Sequence, residues 1–225
     1  MKLSKETIEI LKSFKTINPQ FKCVPGKQVR IASQPGNVIG VAEVKEEFPK
    51  EFAIYDLNNF FDTLSLFDDP ELEFEDTHLN IVDATAKKDY QYCAPNIPKW
   101  INDIKGMAPV VTFELNDKVL PRILKAAAVD GHKDVIFSGK KGGPGYIRVT
   151  DLNSNAKGKK ANEFSIKLID NCDATFDFIF MESCLNLFPG RYKVEFNKAT
   201  ISQFTNLDHP IKYWIAINKD SKYEG

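Results

Sequence analysis

Histidine, cysteine and tryptophan are scarce in this sequence of 225 residues: three, four and two, respectively. His78, His132 and His209 each stand beside a predicted turn, and no two have metal-ligand spacing. Cys23, Cys93, Cys172 and Cys184 form no CxxC pair, which argues against a zinc site or a redox motif. Their wide spacing also argues against a disulfide framework, so free thiols in a reducing cytoplasm are expected. No nucleophile–base signature is present. The glycine-rich run Lys140-Lys-Gly-Gly-Pro-Gly145 lacks the GK[ST] ending and the following helix of a phosphate-binding loop, and reads as a hairpin turn. No catalytic residue, metal site or cofactor is expected.

Long apolar runs are missing too. None approaches the roughly 18 residues of a membrane span, and the opening MKLSKETIEI has no apolar signal core. A soluble, intracellular protein without a membrane partner is the expectation. Neither sign of charge dominates: 30 Lys and Arg stand against 31 Asp and Glu, a formal net charge of -1. Proteins that coat nucleic acid are usually basic overall, so a phosphate-facing surface here must be local, with acidic surface elsewhere. What the chain does have is 43% hydrophobic and 27% charged residues, the balance of a packed core. Its length suits one large or two small domains.

The periodicity predicts a helix over SKETIEILKSFKTI, with Ser4 as N-cap, Asn18 and Pro19 as the stop, and Leu3, Thr7, Ile10, Leu11 and Phe14 on one side. Strand-like runs follow, punctuated by Pro25-Gly26 and Pro35-Gly36. Asp56 then reads as the cap of an apolar helix, LNNFFDTLSLF, and further strands run to Cys93. Residues 94–109 contain Pro95, Pro98, Gly106 and Pro109, show no clear period and read as an interdomain connector. Beyond it the plan repeats: a strand, the helical NDKVLPRILKAAA, strands, a short helix MESCLNLF stopped by Pro189-Gly190, and closing strands. The order of elements predicts an α+β protein of two similar domains, residues 1–93 and 110–225.

Positive charge is segregated onto the two long helices. On the first, Lys5, Lys12 and Thr16 share a narrow face opposite the apolar stripe; Lys2 lies near it, Lys15 flanks it and Glu9 interrupts it. On the second, Lys118, Arg122 and Lys125 project within about 60° of one another, with no acidic residue between them. Lysines on a solvated helix face are ordinary. Here, however, the same-sign stripe recurs on the first helix of each half, while the second helices carry none. Asp56, Asp62, Asp68, Asp69 and Glu71 mark the first of these and Glu182 the other. Such stripes suit contact with phosphates without base reading, a binding mode that is weak per contact and salt-sensitive. Pro121 complicates the second helix. With Asp117 as N-cap it falls just past the first turn; with a later start it is the first helical residue, and Lys118 drops out of the stripe.

The segments MKLSKETIEILKSFKTIN, FAIYDLNNFFDTLSLF and FDFIFMESCLNLFPGRYKV resemble the sliding clamps of T-even-type bacteriophages. That resemblance implies a DNA-clamp fold, with the long helices inside a ring and antiparallel sheets outside. It implies a non-enzymatic processivity factor: a head-to-tail homotrimer encircling duplex DNA and tethering the replicative DNA polymerase in the cytoplasm of the infected bacterial host. A clamp loader would open the ring, and late-transcription factors are further partners of such clamps. Carried onto this chain, Lys5, Lys12, Lys15, Lys118, Arg122 and Lys125 face the hole. Ile97, Trp100 and Ile104 of the connector, with Tyr223, are candidates for a partner-peptide pocket; packing of the connector onto its own domains is the competing reading. The alternative to a clamp is a structural or assembly protein of two similar α+β domains that does not engage DNA.

Overall fold

The computed structural model describes residues 1–99, 101, 102, 104, 108–152, 162–198 and 200–225. Trp100 lies outside the described residues. The chain divides into two compact units, Met1–Asp103 and Ile104–Gly225.

In the first unit, α1 (Lys5–Ile17) starts at Ser4, whose backbone is extended and whose side-chain oxygen accepts from the Thr7 amide at 3.3 Å. It stops at Asn18, where the backbone turns extended and the Nδ2 amide donates to the Ala32 carbonyl at 2.8 Å. The buried residues Thr7, Ile10, Leu11 and Phe14 follow helical spacing and seat α1 on strands β2 (Gly26–Ala32) and β3 (Val38–Phe48). With β1 (Phe21–Cys23) and β4 (Phe52–Ile54) these strands run in the spatial order β4-β1-β2-β3, with β1 antiparallel to both β2 and β4 and β2 antiparallel to β3. Next, α2 (Leu57–Leu64) is capped by Asp56, which accepts from the Asn58 amide at 2.8 Å. A second antiparallel sheet, β5-β6-β7, is built from Glu71–Phe74, His78–Val82 and Lys87–Gln91. The N-terminal backbone runs beside it: the Leu72 amide donates to the Met1 carbonyl at 2.8 Å.

The second unit repeats the plan. After β8 (Val111–Leu115), α3 (Val119–Asp130) packs on β10 (Gly145–Thr150) and β11 (Phe164–Ile169). With β9 (Asp134–Gly139) and β12 (Thr175–Met181) these strands lie in the order β11-β10-β9-β12. In both units, then, the four strands after the long helix assemble with the fourth beside the first, then the second and third. The later strands β13 (Tyr192–Phe196), β14 (Ile201–Asn206) and β15 (Ile211–Ala216) run consecutively, with β8 beside β13. That is the place the Met1 backbone takes beside β5. Phenylalanines fill this unit's core: Phe113, Phe137, Phe178, Phe180, Phe196 and Phe204 are all buried, and the rings of Phe178 and Phe196 stack at 4.5 Å.

Three local expectations change. MESCLNLF forms one 3-10 turn, Glu182–Leu185, rather than a helix. Met181 in the capping position offers no side-chain acceptor, so nothing there does what Asp56 does for α2. The C-terminal segment, without an apolar pattern of its own, becomes β16 (Lys222–Glu224) by pairing with β12. And α3 begins at Val119, which settles Pro121 differently from either alternative. Pro121 is the third helical residue, inside the first turn, where backbone N–H groups have no intrahelical acceptor; the missing donor costs no hydrogen bond.

Candidate nucleic-acid interface

On α1 the residues opposite the buried stripe reach solvent: Lys5, Glu9, Lys12 and Thr16 are exposed. Glu9 Oε1 lies 2.9 Å from Lys12 Nζ, so one of the stripe's cations is held by the stripe's own anion. Lys15, half-buried, sits over the Phe61 ring with Nζ 5.7 Å from its centroid. Lys2 is drawn off the face by an ion pair with Asp69. The start of the helix is anchored by Glu46 of β3, whose carboxylate accepts from the Ser4 amide and the Thr7 hydroxyl. Burial alone would raise the Glu46 carboxyl; these hydrogen bonds outweigh it and hold the group below its ordinary value.

On α3, Lys118, Arg122 and Lys125 are exposed, while Val119, Leu120, Ile123 and Ala127 are buried. Lys118 is the N-cap residue: its amide takes Asn116 Oδ1 at 3.0 Å and its carbonyl accepts from the Arg122 amide at 3.2 Å. Its backbone is already in the helical region, φ -94° and ψ -17°, so helical spacing from Lys118 to Arg122 and Lys125 is kept. Arg122 lies over the Phe164 ring of β11, Cζ 5.9 Å from the centroid. Gly131 closes the helix in the left-handed conformation, φ 68°, with its amide on the Ala127 carbonyl. Among the described residues no carboxylate forms an ion pair with Lys5, Lys118, Arg122 or Lys125.

The residues named for a partner pocket belong to both units. Ile97 is exposed in the first unit; Ile104 and Tyr223 are half-buried in the second. Tyr223 stands opposite Phe176 across the β12–β16 pair, its ring parallel to that of Phe178 at 6.4 Å. Phe176 also walls a hollow of the second unit, together with Pro109, Val110, Thr112, Ile169 and Ala174. Arg30, which no pattern in the sequence singles out, is buried in β2 and donates to the Ile101 carbonyl at 2.7 Å. Lys99 donates to the Gln34 carbonyl at 3.0 Å, so the start of the connector is tied to the first unit at two points. Among the described residues no cluster of His, Cys, Asp or Glu has the arrangement of a metal site. Burial pushes the Cys23 thiol up to about 12. No helix among the described residues is long and apolar enough to cross a membrane.

No protein-family model matches the chain. It is 31% identical over 222 residues to the sliding clamp of Vibrio phage KVP40, covering 96% of this chain and 98% of that protein. The chain belongs to the phage sliding-clamp family. To the sliding clamp of Escherichia phage RB69 it is 29% identical, with 100% of each chain covered. Among solved structures it is similar to the A. fulgidus PCNA bound to the C-terminal region of FEN-1, with a TM-score of 0.67 and 14% identity over 98% of both chains. At that identity the likeness is one of fold: two α+β units with antiparallel sheets, the DNA-clamp architecture.

Proposed function

We propose that this chain is a DNA sliding clamp that works as a non-enzymatic processivity factor: three copies close head to tail around duplex DNA and tether the replicative polymerase. The observation that carries this reading is the segregation of positive charge onto the exposed faces of α1 and α3 in a chain of net charge -1. Lys5, Lys12, Lys15, Lys118, Arg122 and Lys125 are the DNA-facing cations. Their contacts would be with phosphates, salt-sensitive and without base reading, which suits a protein that must slide. Encirclement replaces affinity: dwell time comes from the ring, not from the contacts.

A head-to-tail ring needs two different surfaces that fit each other. The strand edges of β7 and β11 offer such a pair, one in each unit, and each has no strand partner on its outer side among the described residues. Residues 94–109 serve as the connector between domains 1–93 and 110–225. Ile97, Trp100, Ile104 and Tyr223 are the candidate contacts for a partner's terminal peptide. The capture of a FEN-1 C-terminal region by a protein of the same fold supports that mode. A clamp loader opens the ring, late-transcription factors share it, and the work takes place in the cytoplasm of the infected host.

The test is polymerase processivity on primed circular DNA with the triple charge reversal Lys12→Glu, Arg122→Glu, Lys125→Glu. Product length should collapse towards that of polymerase alone while the variant keeps the parent's melting temperature and mass in solution. Unchanged product length would sink the DNA-encircling reading. A titration with the polymerase's tail peptide addresses the pocket: Trp100→Ala should bind several-fold more weakly, and equal binding removes Trp100 from it.

A further inference from the structure

The six cations are not equivalent. Lys5 and Lys12 on α1, and Lys118 and Lys125 on α3, lie along the centre of their stripes on flexible four-carbon stems. One cation on each helix stands about 60° to the side of Lys12 or Lys125, and each of these two is perched on an aromatic ring. Lys15 Nζ is 5.7 Å from the Phe61 centroid and Arg122 Cζ is 5.9 Å from the Phe164 centroid, both inside the range of cation–ring attraction. The rings come from unrelated places, α2 in the first unit and the start of β11 in the second. Both are half-buried rather than sealed in the core, so each leaves part of its surface beside the cation it carries.

We propose that Phe61 and Phe164 are positioning residues for DNA: each ring holds its flanking cation at a fixed height so that it meets a phosphate without first losing its freedom. This rests on the reading that the exposed faces of α1 and α3 meet the duplex. A free Lys or Arg side chain gives up rotamer entropy when it is fixed. A guanidinium held over a ring by cation–ring attraction still has N–H groups for a phosphate, and an ammonium over a ring keeps at least one N–H directed away from it. The ring restrains the cation without using up its donors. The central lysines, unrestrained or exchanging with Glu9, average over neighbouring phosphates, whereas Lys15 and Arg122 set the lateral position of the helices against the backbone.

The experiment is a pair of double-mutant cycles on the full-length protein, Phe164→Leu with Arg122→Gln and Phe61→Leu with Lys15→Gln. Leucine keeps the apolar packing and removes only the ring. Binding to a labelled duplex is followed by fluorescence anisotropy at low salt, with thermal melts of every variant. Each Phe→Leu change should weaken binding by about two- to fivefold in the parent. It should have no effect once its cation is gone, and melting should not follow that pattern. Loss of the ring-current shift on the Lys15 and Arg122 side-chain protons in Phe→Leu spectra checks the perch directly. Additive effects on binding, or unaltered binding in the single Phe→Leu variants, overturn the proposal while leaving the clamp reading intact. If Arg122→Gln and Lys15→Gln are themselves without effect, and the triple charge reversal also changes nothing, both readings fail together.

Discussion

Glu9 is the one acid on the α1 stripe, and its replacement by Gln offers a prediction whose sign is opposite to that of most charge changes. Glu9 Oε1 and Lys12 Nζ are 2.9 Å apart, with side-chain exposures of 59% and 46%. An exposed helix pair three residues apart contributes only about 0.2–0.5 kcal/mol, so Glu9→Gln should shift the melting temperature by about 2 °C or less. Its effect on DNA should be larger and favourable. Removing the carboxylate deletes a charge that repels phosphates and releases Lys12 for a contact of its own. Each additional phosphate neutralised steepens the dependence of log affinity on log salt by about 0.9. Between 50 and 200 mM salt that slope is worth about 3.5-fold per contact and, if three subunits each gain one, at most about 40-fold. The assay is anisotropy of a labelled duplex across that salt range for the parent, Glu9→Gln, Lys12→Gln and the double variant. Glu9→Gln should bind more tightly at low salt with a steeper slope, and the gain should shrink in the Lys12→Gln background. A slope that stays flat or becomes shallower in Glu9→Gln would refute the reasoning, because it would mean that the α1 face does not meet phosphates.

Pro121→Ala should destabilise the protein by about 0.4–1 kcal/mol, because it restores no hydrogen bond and loosens only the unfolded chain. A gain of about 3 kcal/mol in urea titrations would instead place Pro121 in a helix interior. Ile123, on the same helix, is fully buried, and Ile123→Ala should cost about 2–5 kcal/mol while the salt slope of DNA binding in the folded protein stays unchanged. For Glu46, a carboxylate held below its ordinary value contributes stability that is complete above the unfolded-state pKa and is lost as pH falls through the folded one. Melts of Glu46→Gln should therefore lie below the parent at neutral pH and converge with it as the pH falls through the folded-state value, below the ordinary carboxylate range; a gap that persists once the group is protonated would assign Glu46 a role independent of its charge.

The first helix was fully legible because every signal for it is local: a serine with its partner three residues on, a four-residue buried stripe, and an asparagine stop. The start of α3 was not. Asp117 and Pro121 each permit a different beginning, and the choice falls to the Asn116 side chain, which closes a turn on the Lys118 amide and hands the first helical position to Val119. β16 was illegible for another reason, since LysTyrGlu has no pattern until β12 supplies a partner. The cations could be placed on their helix faces from spacing alone, but the rings that carry Lys15 and Arg122 could not, because Phe61 and Phe164 belong to other elements and meet these residues only in the fold. A net charge of -1 first reads as evidence against DNA. In the proposed ring the near-zero balance has a positive role. A strongly basic surface would bind DNA anywhere along its outside and compete with encirclement, whereas here the 30 Lys and Arg of the chain are balanced by 31 Asp and Glu, and the stripes of α1 and α3 carry a single acid, Glu9, between them.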